Sequence, residues 1–233
     1  MISIIIPTYN EKDNLPRLIN EIFSLPIAEN IELIVVDDNS PDSTGVLAEK
    51  LKKKYNRIYV IHRKERGRGT AGIAGFKEAL KHKNKYIMEM DADFSHDPRD
   101  IMKFVEEIRK YDVVIGSRYM GGQILNRSLY RNLVSTLANM YNRALLGLSI
   151  RDISSGYKCY RREVIEALDF DRFLSTGYSI GAETLYKIKK KEFTMKEIAI
   201  TFKNREAGVS KCGLGEMIDY LIKIFLLKLK EWR

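Results

Sequence analysis

Apolar and polar positions alternate in blocks along this chain, and the period of the blocks changes. Five short runs rich in β-branched residues stand out: Ile2 to Ile6, Ile31 to Val36, Ile58 to Ile61, Tyr86 to Met90 and Val113 to Ile115. Between them lie segments whose apolar residues recur at helical spacing. Strand-length runs that are apolar throughout suit a sheet buried on both faces, so the alternation predicts βαβ units on a mostly parallel sheet. The intervening helices are predicted at 14–24, 43–54, 70–82 and 99–110, the last opened by Asp97-Pro98. Beyond Ile115 come a Gly-containing loop, a long helix at 128–147, a strand at 157–160 and a helix at 178–190. A strand at 193–202 and an amphipathic helix at 215–232 complete the pattern. No internal repeat or low-complexity linker interrupts it, which predicts one α/β domain over 1–213 and a C-terminal helix over 214–233.

Composition adds a bias toward anions. Forty Lys and Arg against 31 Asp and Glu give a formal charge of +9, which suits nucleic acid, phosphate-bearing small molecules or an acidic membrane face. The two cysteines, Cys159 and Cys212, form no metal-ligand or redox spacing, so free thiols in a reducing compartment are expected. The N-terminus runs into a strand without a signal-like leader, and no run of about 18 apolar residues occurs, so neither export nor a membrane span is expected.

Chemistry in an open α/β sheet collects beyond the carboxyl ends of its strands. There the chain carries Pro7-Thr8-Tyr9-Asn10-Glu11 after the first run and Asp37-Asp38-Asn39-Ser40 at the end of the second. Gly67-x-Gly69-x-x-Gly72 has the spacing of a dinucleotide fingerprint, but it follows the third strand rather than the first. The carboxylates beyond it come as Asp91-Ala92-Asp93. Two carboxylates at i, i+2 can share one hard cation such as Mg²⁺ or Mn²⁺ together with substrate phosphates, a use that a single ribose does not require. The pair could equally cap the helix near Asp97, just as Asp37 and Asp38 could cap the one near Ser43.

In order along the chain stand "PTYNE", "VVDDNSPDST", "RGRGTAG", "MDADFSHDP", "GSRY", "SSGYKCYRREV", "GYSIGAETLYK" and "NREAGVSK". Together they resemble the polyprenol-phosphate mannosyltransferases of glycosyltransferase family 2 over about residues 1–213. The resemblance implies a GT-A type nucleotide-sugar-binding fold, a mostly parallel central sheet flanked by helices, and a glycine stretch that serves a sugar nucleotide rather than NAD. It implies that Pro7, Tyr9, Glu11, Val36 and Asp38 hold the nucleoside of GDP-mannose, and that Asp91, Ala92 and Asp93 meet the diphosphate. Asp91 and Asp93 would ligate Mg²⁺ or Mn²⁺. Arg118, Arg205 and Lys211 match the clamp on the departing diphosphate, and Arg118, Arg131 and Ser135 the place of the acceptor phosphate. Ser95 departs from relatives that carry Gln there, which leaves a third metal ligand open.

The implied product is dolichyl β-D-mannosyl phosphate, formed with inversion. A phosphate monoester acceptor is largely dianionic at neutral pH and needs no general base. A hydroxyl acceptor would need one, for which Glu183 is the weaker candidate. His96 reads as a packing or capping residue, and His62 and His82 as surface residues of a strand and a helix.

From Val113 to Arg151 there is no Asp or Glu, while Arg118, Arg127, Arg131, Arg143 and Arg151 stand among Leu, Tyr and Met. This suits an anionic lipid acceptor, or an ordinary packed helix with exposed arginines. The last helix carries Ile218, Leu221, Ile222, Phe225, Leu226 and Leu229 with cationic edges, suited to a membrane surface, a separate membrane subunit or the protein's own core. A peripheral place on the cytoplasmic side of a membrane is the expectation. UDP-glucose as donor is the near alternative, a basic nucleic-acid-binding domain without catalysis a more distant one, and an NAD-dependent oxidoreductase the third. The nucleic-acid reading leaves Asp91 and Asp93 unexplained, since carboxylates repel phosphates without a cation.

Overall fold

A computed structural model describes residues 1–121, 124–125, 129–203 and 214–230. Its strands are β1 (Ile2–Thr8), β2 (Ile31–Asp37), β3 (Ile58–His62), β4 (Tyr86–Glu89), β5 (Val113–Ser117), β6 (Ile124–Leu125), β7 (Lys158–Arg161), β8 (Met195–Ala199) and β9 (Phe202–Lys203). The helices are α1 (Leu15–Phe23), α2 (Thr44–Lys54), α3 (Arg68–Ala79), α4 (Ile101–Glu107), α5 (Leu129–Leu146), α6 (Arg162–Glu166), α7 (Ile180–Lys190) and α8 (Leu214–Lys230). Seven strands form one sheet in the order β3-β2-β1-β4-β7-β5-β8, and β6 pairs with β9 apart from it.

All neighbours in the large sheet are parallel except around β7, which runs antiparallel to both β4 and β5. The apolar runs are therefore buried on both faces, as their composition predicts. Ile4, Ile6, Leu33 and Val35 face a layer built by α1, α2 and α4, whereas Ile5, Ile34, Val36 and Ile87 face α3, α6 and α7.

The first four predicted helices form, with two changes. The 99–110 segment opens as a 3₁₀ turn, Pro98–Asp100, whose cap is the Asp97 carboxylate accepting the Arg99 N–H at 2.9 Å. Neither Asp37 nor Asp38 caps α2. Asp42 instead meets the start of the helix, accepting the Thr44 N–H at 3.0 Å and its hydroxyl at 2.5 Å, while Ser43 at the N-cap makes no side-chain capping bond. The predicted strand at 193–202 divides, because Ile200 turns into the core and the chain leaves the sheet before β9. Cys159, at the centre of β7, is a buried free thiol whose pKa burial pushes up, and Cys212 lies outside the described residues.

The last helix divides its apolar residues between two environments. Ile224 and Leu227 are buried in the core, and the Tyr141 hydroxyl donates to the Leu221 carbonyl at 3.0 Å, which docks α8 on α5. Ile218, Ile222, Phe225, Leu226 and Leu229 remain about half exposed or more, next to a similar stripe on α5 formed by Leu133, Leu137 and Met140. Among the described residues no helix is long and apolar enough to cross a membrane.

Candidate active site

Strand ends β1, β2 and β4 open onto one cavity of about 470 Å³ lined by Pro7, Tyr9, Glu11, Asp38, Asp91, Ala92 and Asp93. The loop after β1 is pinned to the loop after β2. Asn10, in the left-handed region at φ 59°, donates its N–H to Ser40 Oγ at 3.0 Å, and that hydroxyl donates to Asp37 Oδ1 at 2.6 Å. The Glu11 N–H bonds Thr44 Oγ1 at 2.9 Å, and its carboxylate accepts from Asn14 Nδ2 at 2.8 Å. Asp38 receives the Gly67 N–H at 2.8 Å and Arg63 Nη1 at 2.6 Å. Burial nevertheless raises its pKa, the donors offsetting only part of that cost. The Tyr9 ring lies under the Arg66 guanidinium, 3.7 Å from the ring centroid.

Beyond β4 the chain turns at Phe94, a non-glycine residue at φ 59°. The turn is closed by Asp93 Oδ1, which accepts the Ser95 N–H at 3.1 Å and the Ser95 hydroxyl at 2.6 Å. Ser95 thus aims Asp93. His96 performs a matching task, its Nδ1 accepting the Asp91 N–H at 3.1 Å while its ring stacks on Tyr157 at 4.7 Å. An accepting Nδ1 assigns the proton of the neutral ring to Nε2, and burial lowers the pKa of this histidine. His96 is therefore a positioning residue for Asp91. Asp97, rather than Asp91 or Asp93, supplies the helix cap.

Asp91 and Asp93 fit a hard divalent cation as two oxygen donors. Among the described residues there is no cluster of three or more His, Cys, Asp or Glu able to hold a metal, so the remaining positions would fall to substrate oxygens and water. Arg68, first residue of α3, donates Nη2 to Asp91 Oδ1 at 2.5 Å.

Other predicted residues stand elsewhere. Val36 is fully buried in the core, outside the described lining. Arg118 lies behind the cavity wall, its Nε and Nη2 donating to Asp152 at 2.8 and 2.6 Å and Nη2 also to Ser154 Oγ at 2.7 Å. Ser154 itself lines the cavity. Arg205 and Lys211 lie outside the described residues. Arg131 sits in the first turns of α5 with its side chain outside them, and Ser135 is half buried on the same helix, outside the described lining. Glu183 is fully buried and accepts the N–H groups of Leu174 and Ser175 at 2.8–3.1 Å, which makes it an anchor for that loop rather than a base.

Arg63, Arg66 and Arg68 are functional-site candidates that the glycine spacing of "RKERGRG" does not disclose. The glycine at 69 has a packing reason: a Cβ there would collide with the carbonyl oxygens of Gly177 and Thr176. Also undisclosed by the sequence pattern are Lys158 and two α8 residues, Asp219 and Tyr220, all lining the cavity. Lys158 is buried, donates to the Ser155 carbonyl and lies opposite Glu89 in the β4–β7 register; burial lowers its pKa.

Residues 3–169 match the family described as glycosyl transferase family 2. The chain is 39% identical over 225 residues to polyprenol monophosphomannose synthase of Mycolicibacterium smegmatis, across 95% of this chain and 84% of that protein. It is 39% identical over 236 residues to dolichol-phosphate mannosyltransferase of Pyrococcus furiosus, across 99% of this chain and 64% of that protein. Among solved structures, glucosyl-3-phosphoglycerate synthase from Mycobacterium tuberculosis in complex with Mn²⁺, uridine diphosphate and phosphoglyceric acid superposes with a TM-score of 0.68 at 19% identity, across 99% of this chain and 78% of that one.

Proposed function

The chain belongs to glycosyl transferase family 2, and on that premise we propose that it transfers mannose from GDP-mannose to a polyprenyl phosphate such as dolichyl phosphate, with inversion and with Mg²⁺ or Mn²⁺. It is a glycosyltransferase with a GT-A-like α/β fold. The observation that carries the finer reading is the convergence of Tyr9, Glu11 and Asp38 with Asp91 and Asp93 on one cavity at the strand ends. Support for mannose and a polyprenyl phosphate comes from the names of relatives at 36–39% identity.

In this reading Tyr9 offers a flat face to the base, and the Asp38 and Glu11 carboxylates accept hydrogen bonds from the base or ribose. Asp91 and Asp93 would hold the cation, which supplies Lewis-acid stabilisation of charge on the diphosphate. Ser95 and His96 fix the two carboxylates, so little reorganisation is needed as charge develops. The acceptor phosphate, with a second pKa of about 6, needs no base. One of its oxygens forms a bond to the anomeric carbon while the opposite carbon–oxygen bond breaks, its electron pair leaving on GDP. Attack from the face opposite the leaving group converts the α linkage to β.

The expected result in a transfer assay with a short polyprenyl phosphate is product from GDP-mannose, dependent on Mn²⁺ or Mg²⁺, and none from UDP-glucose. Transfer from UDP-glucose alone would replace the donor assignment, and transfer in the presence of a chelator would remove the metal.

The exposed apolar stripes of α5 and α8 support a peripheral place on a membrane surface, and the cytoplasmic side is part of this proposal. Leu137→Gln with Phe225→Gln, both at exposed positions, is expected to lower sedimentation with anionic vesicles several-fold while sparing transfer to a short, water-soluble acceptor. Unchanged sedimentation would remove this face from membrane binding.

A further inference from the structure

We propose that Arg68 is a resident counter-cation of the metal site: it neutralises Asp91 until the divalent cation arrives, then passes to the diphosphate of the donor. This rests on the metal-dependent reading above. Arg68 donates to Asp91 Oδ1 at 2.5 Å, on one of the two carboxylates assigned to the cation. A guanidinium and a divalent cation on a single carboxylate repel each other whichever oxygen the cation takes, so the two compete for Asp91.

Room for the guanidinium is built into the fold. A Cβ on Gly156 would lie 2.7 Å from Arg68 Nη2, so the glycine of "SSGYKCYR" clears its place beside Asp91.

The pair is also made to exchange. Arg68 and Asp91 are 32% and 29% exposed on the cavity side, whereas Arg118 and Asp152 are 7% and 0%. Water can replace each partner at the first pair but not at the second. Once released, Arg68 does not have far to travel. It stands at the N-terminus of α3, one residue beyond Gly67, whose N–H holds Asp38, and two beyond Arg66, which covers Tyr9. An arginine between the nucleoside side of the cavity and the two carboxylates matches the planar pairing that diphosphate oxygens accept.

Binding measurements test this without turnover. Mn²⁺ alone is expected to bind Arg68→Gln about tenfold more tightly than the wild type, since the competitor is gone. GDP in saturating Mn²⁺ is expected to bind the same variant about tenfold more weakly, since a charge-assisted phosphate contact is lost. Arg68→Lys, which keeps the charge, should fall between the two on both measurements. A purely structural arginine would not produce opposite shifts. Mn²⁺ affinity that is unchanged or lower in Arg68→Gln, or unchanged GDP affinity, would overturn the exchange while leaving the transfer reading intact. Wild-type protein that binds no Mn²⁺ even with GDP present would overturn the transfer reading and this inference with it.

Discussion

Asp93→Ala is expected to lower kcat by at least about a hundredfold to a thousandfold while the protein stays folded. Asp93 is 4% exposed and aimed by two bonds from Ser95, so its carboxylate is presented to the cavity in one orientation. The alanine removes one of the two oxygen donors assigned to the cation, and among the described residues no group of three or more His, Cys, Asp or Glu is placed to hold a metal in its stead. The structural cost is bounded: the buried Ser95 hydroxyl loses its acceptor, worth about 1–3 kcal/mol. Turnover against Mn²⁺ concentration, with near-ultraviolet circular dichroism on the same sample, separates the two effects. Turnover within a few-fold of the wild type would reject the metal assignment, and loss of the dichroism signal would make Asp93 a folding residue.

The second large effect concerns stability. Asp152→Ala should cost about 3–5 kcal/mol, because it strands a buried guanidinium. Asp152 accepts three bonds from Arg118, through the backbone N–H at 2.9 Å, Nε at 2.8 Å and Nη2 at 2.6 Å. Burial opposes its ionisation, but the hydrogen bonds and charge of Arg118 prevail and hold the carboxyl below the ordinary range. A depressed folded-state pKa stabilises the protein above the unfolded-state value, and that contribution is lost as pH falls through the folded-state value. The stability gap between wild type and variant should therefore narrow in acid. Denaturant unfolding at neutral and acidic pH measures both. The double variant Arg118→Met with Asp152→Leu should recover most of the loss. A neutral-pH loss under about 1 kcal/mol would show that the pair is not the anchor of this wall.

Why the sequence revealed one residue of this pair and not the other has a physical reason. Local periodicity exposed the strands and helices because burial on two faces leaves apolar runs that can be read within ten residues. The carboxylates at 91 and 93 were legible for a similar reason, since both partners of the chemistry fall in one tripeptide. Asp152 lies 34 residues from Arg118, and no local pattern records that pairing. Arg63, Arg66 and Arg68 were hidden in the charge of a basic chain, because their significance depends on Asp38, Tyr9 and Asp91 arriving from other strands. The amphipathic pattern of the last helix told that an apolar face exists, but its division between docked Ile224 and exposed Phe225 depends on where α5 and α7 stand.

The reversed direction of β7 governs the order in which the sheet can close. β4 and β5 are consecutive in the sequence, yet they touch only through β7, and roughly forty residues separate β5 from β7. A chain leaving the ribosome at about 5–20 residues per second therefore carries two unpaired strand edges for a few seconds. During that time β1 to β4 can associate as a four-strand unit, while β5 waits. The outer edge of β4, apolar at Ile87 and Met88, is then open to pairing with another nascent chain. Slow or stalled synthesis between β5 and β7 should thus favour aggregation more than stalling at any point after Arg161, where the insertion strand has already been made.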